Sequence, residues 1–359
     1  MRFWLVGVFL FLLGWVDLSI AADRADVASY YHYWRDTYLQ PSQRVAGGKY
    51  VDYQGNQSTC SEAMGYGMLI TVRGADFDPR SARADFDALN RFQLAFRSNI
   101  DSRLMAWRVE DTSSDPVDTT CATDGDLDIA LALLLAADKW QEPAYLEQAK
   151  GLITAIEESL VRPDYSLRRG DWDINQHASR PSDFMPANFS VFSKVRRPEF
   201  WQKVRETQYQ ILRDTMGDHA VFPDFVIYQD KKWQPAPANY LESEHDGCLY
   251  YNGCRVPWRL AEAAILFDDP TARELLELFD KGIGKVPHSN FKAGYDIEGK
   301  PLNDWTDGAF TAPHLCSLLV NGRLAEFELA FQTQLKTKEK YYQDSIRLLC
   351  LMLCSAYSG

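Results

Sequence analysis

Two kinds of helical segment alternate along this chain, and the alternation restricts the folds that it can adopt. Residues 127–137 are apolar on nearly every side, as expected of a helix that is buried all round. The next segment, 144–160, carries an apolar stripe opposite a charged face. Segments 62–72 and 82–97 show the same contrast. An inner ring of buried helices inside an outer ring of amphipathic helices would produce this pattern.

Helical patterns continue to the end of the chain and predict helix pairs throughout. The predicted helices are 25–38, 62–72, 82–97, 126–140, 143–160, 181–193, 198–216, 257–267, 271–281, 311–319, 324–336 and 339–355, with a short strand at 225–228. The pattern predicts an all-α fold, an (α/α)6 barrel of six inner and six outer helices. Because no linker rich in Pro, Gly or Ser divides residues 23–359, we expect one domain; two helical domains are the alternative.

The first residues have the composition of an export signal. Arg2 precedes the apolar run 3–16, and small residues follow at 19–22. The apolar run is shorter than the ~20 residues that a membrane-spanning helix needs. We therefore predict that residues 1–22 are a cleaved signal peptide and that the mature chain, free of a membrane anchor, is secreted or periplasmic.

The charge and the aromatic content limit the classes of molecule that the chain is expected to bind. A formal net charge of -12 argues against binding to nucleic acids or anionic membranes. The aromatic fraction of 13%, with 10 Trp and 18 Tyr, is compatible with surfaces that stack on sugars. We expect a monomer.

The cysteines and histidines do not predict a metal site. Seven Cys are present without a C-x-x-C pair, and the chain has only 6 His, so we expect no metal or other cofactor. Cys350 and Cys354 are one helical turn apart and are predicted to be buried thiols. Cys60 and Cys121 each precede an informative motif, and we expect them to form a disulfide.

Glu62 is a lone carboxylate at the head of a small and apolar helix, Ser61-Glu62-Ala-Met-Gly-Tyr-Gly-Met. Burial would raise its pKa and allow it to hold a proton near neutral pH, as general-acid cleavage of a glycosidic bond requires. The alternative is a helix start that Ser61 caps, where an acidic residue favours the helix dipole.

A second motif, Ala122-Thr-Asp-Gly-Asp-Leu-Asp-Ile-Ala130, carries three Asp at alternate positions. Its glycine is misplaced for a calcium loop, and no Glu closes the loop. Helix capping by Thr123 or Asp124, with dipole stabilisation by Asp126 and Asp128, is the structural alternative. Asp124 lies in the predicted turn before the helix, from which it can point into a cleft. In the predicted barrel, the N-termini of the inner helices meet at one end, which brings Glu62 and Asp124 together.

These two motifs resemble those of glycoside hydrolase family 8. The similarity continues in order through most of the mature chain, at 104–107 (LMAW), 180–184 (RPSDF), 222–225 (FPDF) and 251–259 (YNGCRVPWR). The resemblance implies an inverting endo-glycanase with an (α/α)6 barrel, acting on cellulose, mixed-linkage β-glucan, chitosan or xylan. It also implies that Glu62 is the general acid, that Asp124 binds the distorted sugar, and that Arg255 orients the carboxylates. Anchoring of the loop before Pro257 is the structural alternative for Arg255.

The general base is the point where this chain departs from one branch of the family. That branch has Asp at the position of Asn252, and an amide cannot accept the proton. A second branch has Asn there and takes its base from a preceding loop. By resemblance, Glu242 is the first candidate, followed by Glu244 and Asp246. The structural alternative is a solvated acidic loop.

Several further residues are expected to bind the sugar chain. Trp107 lies in a matched motif and is the first candidate for stacking, and Tyr66 and Tyr251 are others. Trp172 and Trp305 are further candidates, and every candidate other than Trp107 could equally lie in the core. Asn252 can hydrogen-bond the attacking water or a sugar hydroxyl, and Asp183 is either a helix cap or a sugar ligand.

Together these features predict an exported, inverting endo-β-1,4-glycanase whose partner is a β-linked polysaccharide, with glucan favoured. A chitosanase of the same family is the alternative, because carboxylates in the 242–246 loop could meet glucosamine ammonium groups. A non-catalytic glycan-binding relative, suggested by Asn252, is a third interpretation.

Overall fold

Helices dominate the computed structural model, which describes residues 18–112 and 118–357 of the 359-residue chain. The twelve α-helices in these stretches are α1 (Leu18–Tyr38), α2 (Ser61–Gly74), α3 (Pro79–Ala95), α4 (Thr123–Trp140), α5 (Pro143–Ala155), α6 (Pro186–Val195), α7 (Pro198–Thr215), α8 (Val256–Phe267), α9 (Pro270–Lys281), α10 (Gly308–Val320), α11 (Leu324–Lys336) and α12 (Tyr341–Tyr357). Their order agrees with the predicted helices. Most of the predicted signal peptide, residues 1–17, lies outside the described residues. None of the described helices is long and apolar enough to span a bilayer.

The even-numbered helices contact one another in sequence around a closed path. Helix α2 contacts α4, and contacts follow between α4 and α6, α6 and α8, α8 and α10, and α10 and α12, before α12 contacts α2. Each also packs against an odd-numbered helix, α3 on α2, α5 on α4, α7 on α6, α9 on α8, α11 on α10 and α1 on α12. Twelve of the 14 residues of α2 are buried, against four of 12 in α9. The predicted alternation of buried and amphipathic helices is therefore confirmed.

Short antiparallel strands lie in the connecting loops. Strands β1 (Leu39–Pro41) and β2 (Lys49–Val51) form one pair, and β3 (Ser58–Cys60) and β4 (Arg108–Glu110) form another. A third sheet contains β5 (Ala178–Ser179), β6 (Val226–Gln229) and β7 (Lys232–Pro235), in that order. Strand β6 corresponds to the predicted strand. The β3–β4 pair holds the segment before β4 against the start of α2, where the Ser61 amide donates to the Trp107 carbonyl at 2.8 Å.

The predicted helix 181–193 is interrupted. Residues Pro181–Asp183 form one 3₁₀ turn, and α6 begins only at Pro186. The ring of Pro186 excludes Met185 from the helical region, and Met185 adopts φ -113° and ψ 75°. A proline at the first position of α6 is compatible with a new helix start, so the break falls at the residue before it.

Side-chain capping, the structural alternative at both motifs, does not occur at either helix. Ser61 is itself the first residue of α2, and the preceding Cys60 makes no side-chain cap. Thr123 is likewise the first residue of α4, and its hydroxyl donates to the Arg168 carbonyl at 2.6 Å. Asp124 consequently lies in the first turn of α4 rather than in the turn before it. Both helix starts are held by loops packed on them, which local sequence does not reveal.

The predicted Cys60–Cys121 disulfide is also wrong, because both cysteines are buried free thiols. The sulfur of Cys121 accepts a hydrogen bond from the Asp171 amide at 3.2 Å, so it faces the 168–173 loop. Cys350 and Cys354 are buried as predicted, and the Cys354 sulfur lies 3.6 Å from that of Cys316.

Two glycines bring α2 and α4 into backbone contact. A Cβ atom on Gly125 would lie 2.5 Å from the carbonyl carbon of Ser61, and one on Gly65 would lie 2.8 Å from the Cβ of Asp128. Neither position has room for a methyl group. The contact places the first turns of the two helices side by side, with Glu62 on one and Asp124 on the other.

We expect Gly125→Ala to destabilise the protein by about 1–3 kcal/mol, because the added methyl group must displace the backbone at Ser61. Gly151→Ala is the matched control, since its Cβ would meet nothing within 4 Å and lies inside α5. The control should be neutral or stabilising by up to about 1 kcal/mol. Urea unfolding measures both changes, and equal stability of Gly125→Ala and wild type would contradict the close contact.

Candidate active site

Arg255 joins the two predicted carboxylates at the N-termini of α2 and α4. It lies in the 3₁₀ turn Gly253–Arg255, immediately before α8, and is buried. Its Nη1 donates to Glu62 Oε2 and, at 3.0 Å, to Asp124 Oδ2. This geometry agrees with the expectation that Arg255 orients the carboxylates by charge-assisted hydrogen bonds.

The second arm of the guanidinium reaches the opposite side of the site. Nη2 of Arg255 donates to Ser182 Oγ at 2.8 Å and to Asn252 Oδ1 at 3.0 Å. The planar fork is therefore fixed at both ends, so it has one orientation. Four loop or helix-start segments consequently meet at one buried cation.

Glu62 and Asp124 occupy different electrostatic environments. Burial raises the pKa of Glu62 to about 7, against the opposing pull of Arg255. Burial acts on Asp124 in the same direction, but Arg180 and Arg255 outweigh it and hold the pKa of Asp124 below its ordinary value. The Arg180 guanidinium lies 2.8 Å from Asp124 Oδ1. Below about pH 7, one carboxyl therefore retains a proton while its neighbour is ionised, as in sites that divide acid and anionic roles between two carboxyls.

Asn252 connects this pair to Glu242. Its Oδ1 accepts from Arg255, which fixes the amide so that Nδ2 faces the acidic loop. Nδ2 donates to Glu242 Oε2 at 2.9 Å. A continuous hydrogen-bonded path thus runs from Glu62 through Arg255 and Asn252 to Glu242.

Asp224 supports the turn that carries Asn252. Its buried carboxylate accepts from the backbone amides of Tyr250, Asn252 and Gly253, at 2.7, 3.0 and 2.6 Å. Burial raises the pKa of Asp224 to about 7, although these three amides pull it down. Sequence reasoning assigned Asp224 no role; its signal was a charged residue between apolar neighbours in the matched segment 222–225.

The three candidate bases are clearly separated by their environments. Glu242 is exposed and contacts Asn252. Glu244 is 75% exposed, and its Oε1 lies 4.0 Å from the imidazole of His245. Asp246 is buried, and its oxygens accept from the amides of residues 241, 242 and 243 at 2.6, 3.0 and 2.9 Å. Asp246 therefore organises the loop, and Glu242 is the candidate that the structure brings to the site.

Trp107 and Tyr251 lie at the edges of the site. Trp107 is 40% exposed, and its carbonyl bonds to the start of α2, one residue before Glu62. Tyr251 precedes Asn252, and its hydroxyl donates to Asp307 Oδ2 at 3.0 Å. Trp172 and Trp305 are also exposed, at 38% and 50%, so neither is a core residue.

Two predicted sugar-binding residues are buried instead. Tyr66 is fully buried, packs edge-on against Trp258, and accepts from Arg255 at 3.3 Å, so its ring faces cannot stack on a sugar. Asp183 is also fully buried and accepts from Arg180 Nε at 2.8 Å. It neither caps α6 nor reaches solvent. Tyr66 therefore contacts the buried cation of Arg255, and Asp183 contacts that of Arg180.

Arg180 and Ser182 were missed as site residues, although the matched segment 180–184 contains both. Arg180 binds Asp124 and Asp183, and Ser182 binds Arg255. In the sequence, an arginine that precedes a proline is typical of an ordinary loop, and only the folded structure shows the carboxylates that Arg180 contacts. Within residues 18–112 and 118–357, no group of three or more His, Cys, Asp or Glu is arranged to hold a metal ion.

Comparison with known proteins identifies the family. The family model described as glycosyl hydrolases family 8 matches residues 11–355. The chain belongs to glycosyl hydrolase family 8. It is therefore a glycoside hydrolase, and the family implies a polysaccharide substrate.

Three similar proteins carry names that bear on the substrate. A beta-glucanase of Niallia circulans is 35% identical over 338 residues, which cover 90% of this chain and 82% of the relative. An endoglucanase of Bacillus sp. strain KSM-330 is 30% identical, covering 91% and 74%. The solved apo structure of a beta-1,3-1,4-glucanase from Paenibacillus sp. X4 has a TM-score of 0.89 at 33% identity, covering 94% and 93%.

Proposed function

We propose that this family 8 hydrolase is an inverting endo-β-1,4-glucanase that acts on cellulose-type or mixed-linkage β-glucan. One observation carries the proposal: the path Glu62–Arg255–Asn252–Glu242, with a carboxyl of raised pKa at one end and an exposed carboxyl at the other. Inverting hydrolysis uses two such groups on opposite faces of a sugar ring.

Glu62 serves as the general acid and Glu242 as the general base. Glu62 protonates the leaving oxygen while Glu242 takes a proton from the attacking water. Inversion needs ~6.5–9.5 Å between the carboxyls, to leave space for that water. The guanidinium of Arg255 and the amide of Asn252 stand between Glu62 and Glu242, which supports a separation of this kind rather than direct contact.

The remaining site residues bind and position. Asp124, held ionised by two arginines, stabilises the positive charge that develops on the sugar ring in the transition state. Asn252 orients Glu242 through its amide group. Trp107 stacks on the apolar face of a sugar unit, and Tyr251 borders the adjacent part of the cleft.

The names of the relatives favour glucan as the substrate. Those cited above are a beta-glucanase, an endoglucanase and a beta-1,3-1,4-glucanase. Chitosan remains the second candidate, because Glu242 and Glu244 are exposed carboxylates and the chain carries a net charge of -12. Membership of a hydrolase family and the intact carboxylate path argue against a non-catalytic glycan-binding protein.

We also propose the architecture and location that accompany this function. The closed path of even-numbered helices is the inner wall of an (α/α)6 barrel, and residues 23–359 are one catalytic domain. Residues 1–22 act as a signal peptide, so the enzyme works outside the cytoplasm as a monomer without cofactors.

Parallel assays on soluble substrates test the choice of polysaccharide. We expect reducing ends to form on lichenan and carboxymethylcellulose at least tenfold faster than on chitosan. The newly formed reducing sugar should be the α-anomer by NMR within the first turnovers, because inversion converts a β-linkage. Faster cleavage of chitosan would overturn the glucan assignment, and a β-anomer would overturn inversion.

Glu62→Gln and Glu242→Gln should each lower kcat by about 10²–10⁴, because each removes a proton transfer. Binding of β-glucan oligosaccharides, measured by calorimetry, should persist because the amide keeps the shape of the side chain. Glu244→Gln is the matched control in the same loop and should retain wild-type turnover. Near-normal activity of Glu242→Gln would remove Glu242 from the role of base.

The pH profile of kcat/KM should fall as the pH rises through about 7, since ionised Glu62 has no proton to donate. Arg180 lowers the pKa of Glu62, so Arg180→Met should move this basic limb to higher pH. Arg180→Lys keeps the charge and should leave the limb in place. Initial rates from about pH 5 to 9 measure the limb, and a shift to lower pH in Arg180→Met would contradict the assignment.

A further inference from the structure

Glu242 lies on a surface loop, residues 239–247, here called the base loop. Bonds inside the loop make it compact: Asp246 accepts three loop amides, and the Asn239 amide donates to the Ser243 carbonyl at 2.8 Å. These bonds fix the shape of the loop but not its placement against the helices. Something outside the loop must therefore hold Glu242 within reach of Asn252.

A buried arginine lies between two aromatic rings next to this loop. The guanidinium carbon of Arg169 is 5.0 Å from the ring centre of Trp172 and 5.3 Å from that of Tyr240. Tyr240 belongs to the base loop and precedes Glu242 by two residues. A cation over an aromatic face attracts the ring electrostatically, and the attraction increases when the cation is shielded from water.

Arg169 is anchored on the side away from the loop. Its Nε and Nη2 donate to the two carboxylate oxygens of Asp173, each at 2.9 Å. Its carbonyl accepts from the Thr123 amide at 3.1 Å, at the first residue of α4 and one residue before Asp124. The cation is therefore fixed to the same helix start that carries Asp124.

Gln176 adds a second point of attachment. Its Oε1 accepts from the Tyr240 hydroxyl at 2.7 Å and from Arg169 Nη2 at 2.5 Å. Tyr240 is thus held by its ring face on the cation and by its hydroxyl on the amide. The chain between Tyr240 and Glu242 is only one residue long, so little freedom remains between this attachment and the carboxylate.

We propose that Tyr240 and Arg169 are positioning residues that dock the base loop on the start of α4 and hold Glu242 against Asn252. The inference rests on the proposed role of Glu242 as the base. Neither residue contacts the reacting atoms. They act by restricting the placement of a carboxylate whose catalytic value depends strongly on position.

Variants of Tyr240 test this role in two steps. Tyr240→Leu removes both the ring face and the hydroxyl, and we expect kcat to fall roughly tenfold or more, with KM changed less than about twofold. Tyr240→Phe keeps the ring on Arg169 and loses only the bond to Gln176, so its kcat should lie between those of Tyr240→Leu and wild type. Tyr357→Leu is the matched control, because it replaces an exposed tyrosine at the C-terminal end of α12 that contacts no site residue named above. Its kcat should equal that of wild type.

A double-mutant cycle separates positioning from a general structural effect. In a Glu242→Gln background, Tyr240→Leu should lower the residual kcat by less than about twofold, because the residue it positions is already disabled. A loss of kcat as large as in the wild-type background would overturn the proposal, as would wild-type kcat in Tyr240→Leu. Near-normal kcat in Glu242→Gln alone would instead contradict the proposed base, so the two failures are distinguishable.

Hydrogen exchange gives a readout that is independent of activity. Backbone amides of residues 239–247 should exchange at least about tenfold faster in Tyr240→Leu than in wild type, while those of α4 stay protected. Unchanged exchange in the base loop would show that Tyr240 does not hold it, and would overturn the proposal.

Discussion

The site depends on one buried positive charge. Arg255 is removed from water, and such a charge is tolerated only when it is paired and hydrogen-bonded. Its partners come from α2, α4, the 181–183 turn and the 250–253 turn, so the cation determines how these segments meet. Removing it would leave carboxylates from different helices facing one another without compensation.

The charges around Arg255 also explain why one carboxyl holds a proton. Arg180 and Arg255 supply two cations, whereas Glu62, Asp124 and Asp183 supply three carboxyl groups. Asp124 contacts both cations and stays ionised. Glu62 and Asp183 have fewer cationic partners in the same buried region, and burial raises their pKa values to about 7 and about 6. The raised pKa of Glu62 is therefore a result of burial that too few cations oppose, and Glu62 is the carboxyl of the two whose side chain is partly exposed.

Sequence reasoning succeeded where a local pattern determines the structure. Apolar and amphipathic periodicity predicted the helices, the two motifs predicted Glu62 and Asp124, and the resemblance at 251–259 added Arg255; the fold brings these three residues together. Sequence reasoning failed where contacts between distant segments determine a residue's hydrogen bonds or burial. Ser61 looked like a cap because no local signal showed that a loop carbonyl would bind its amide, and Tyr66 looked available because burial by Trp258 is not visible in its neighbours.

The proposed base illustrates the same limit. Three carboxylates lie within the five residues 242–246, and only the family resemblance ranked them as candidates for the base. Only their contacts in the folded protein distinguish them. Glu242 accepts from the amide of Asn252, whereas Asp246 accepts from the backbone of its own loop. Asp224, Arg180 and Ser182 escaped notice because their importance lies in what they support rather than in their own motif.

The glycine contact between α2 and α4 has a consequence for the substrate. Because Gly125 lies directly against the backbone of Ser61, the first turns of α2 and α4, which carry Glu62 and Asp124, are packed with no free space between them. A wall packed in this way has little room to change shape, so we expect it to fit one shape of the sugar ring. For the proposed glucanase we therefore expect the bound sugar to change shape instead, with binding along its neighbouring units supplying the energy for that distortion.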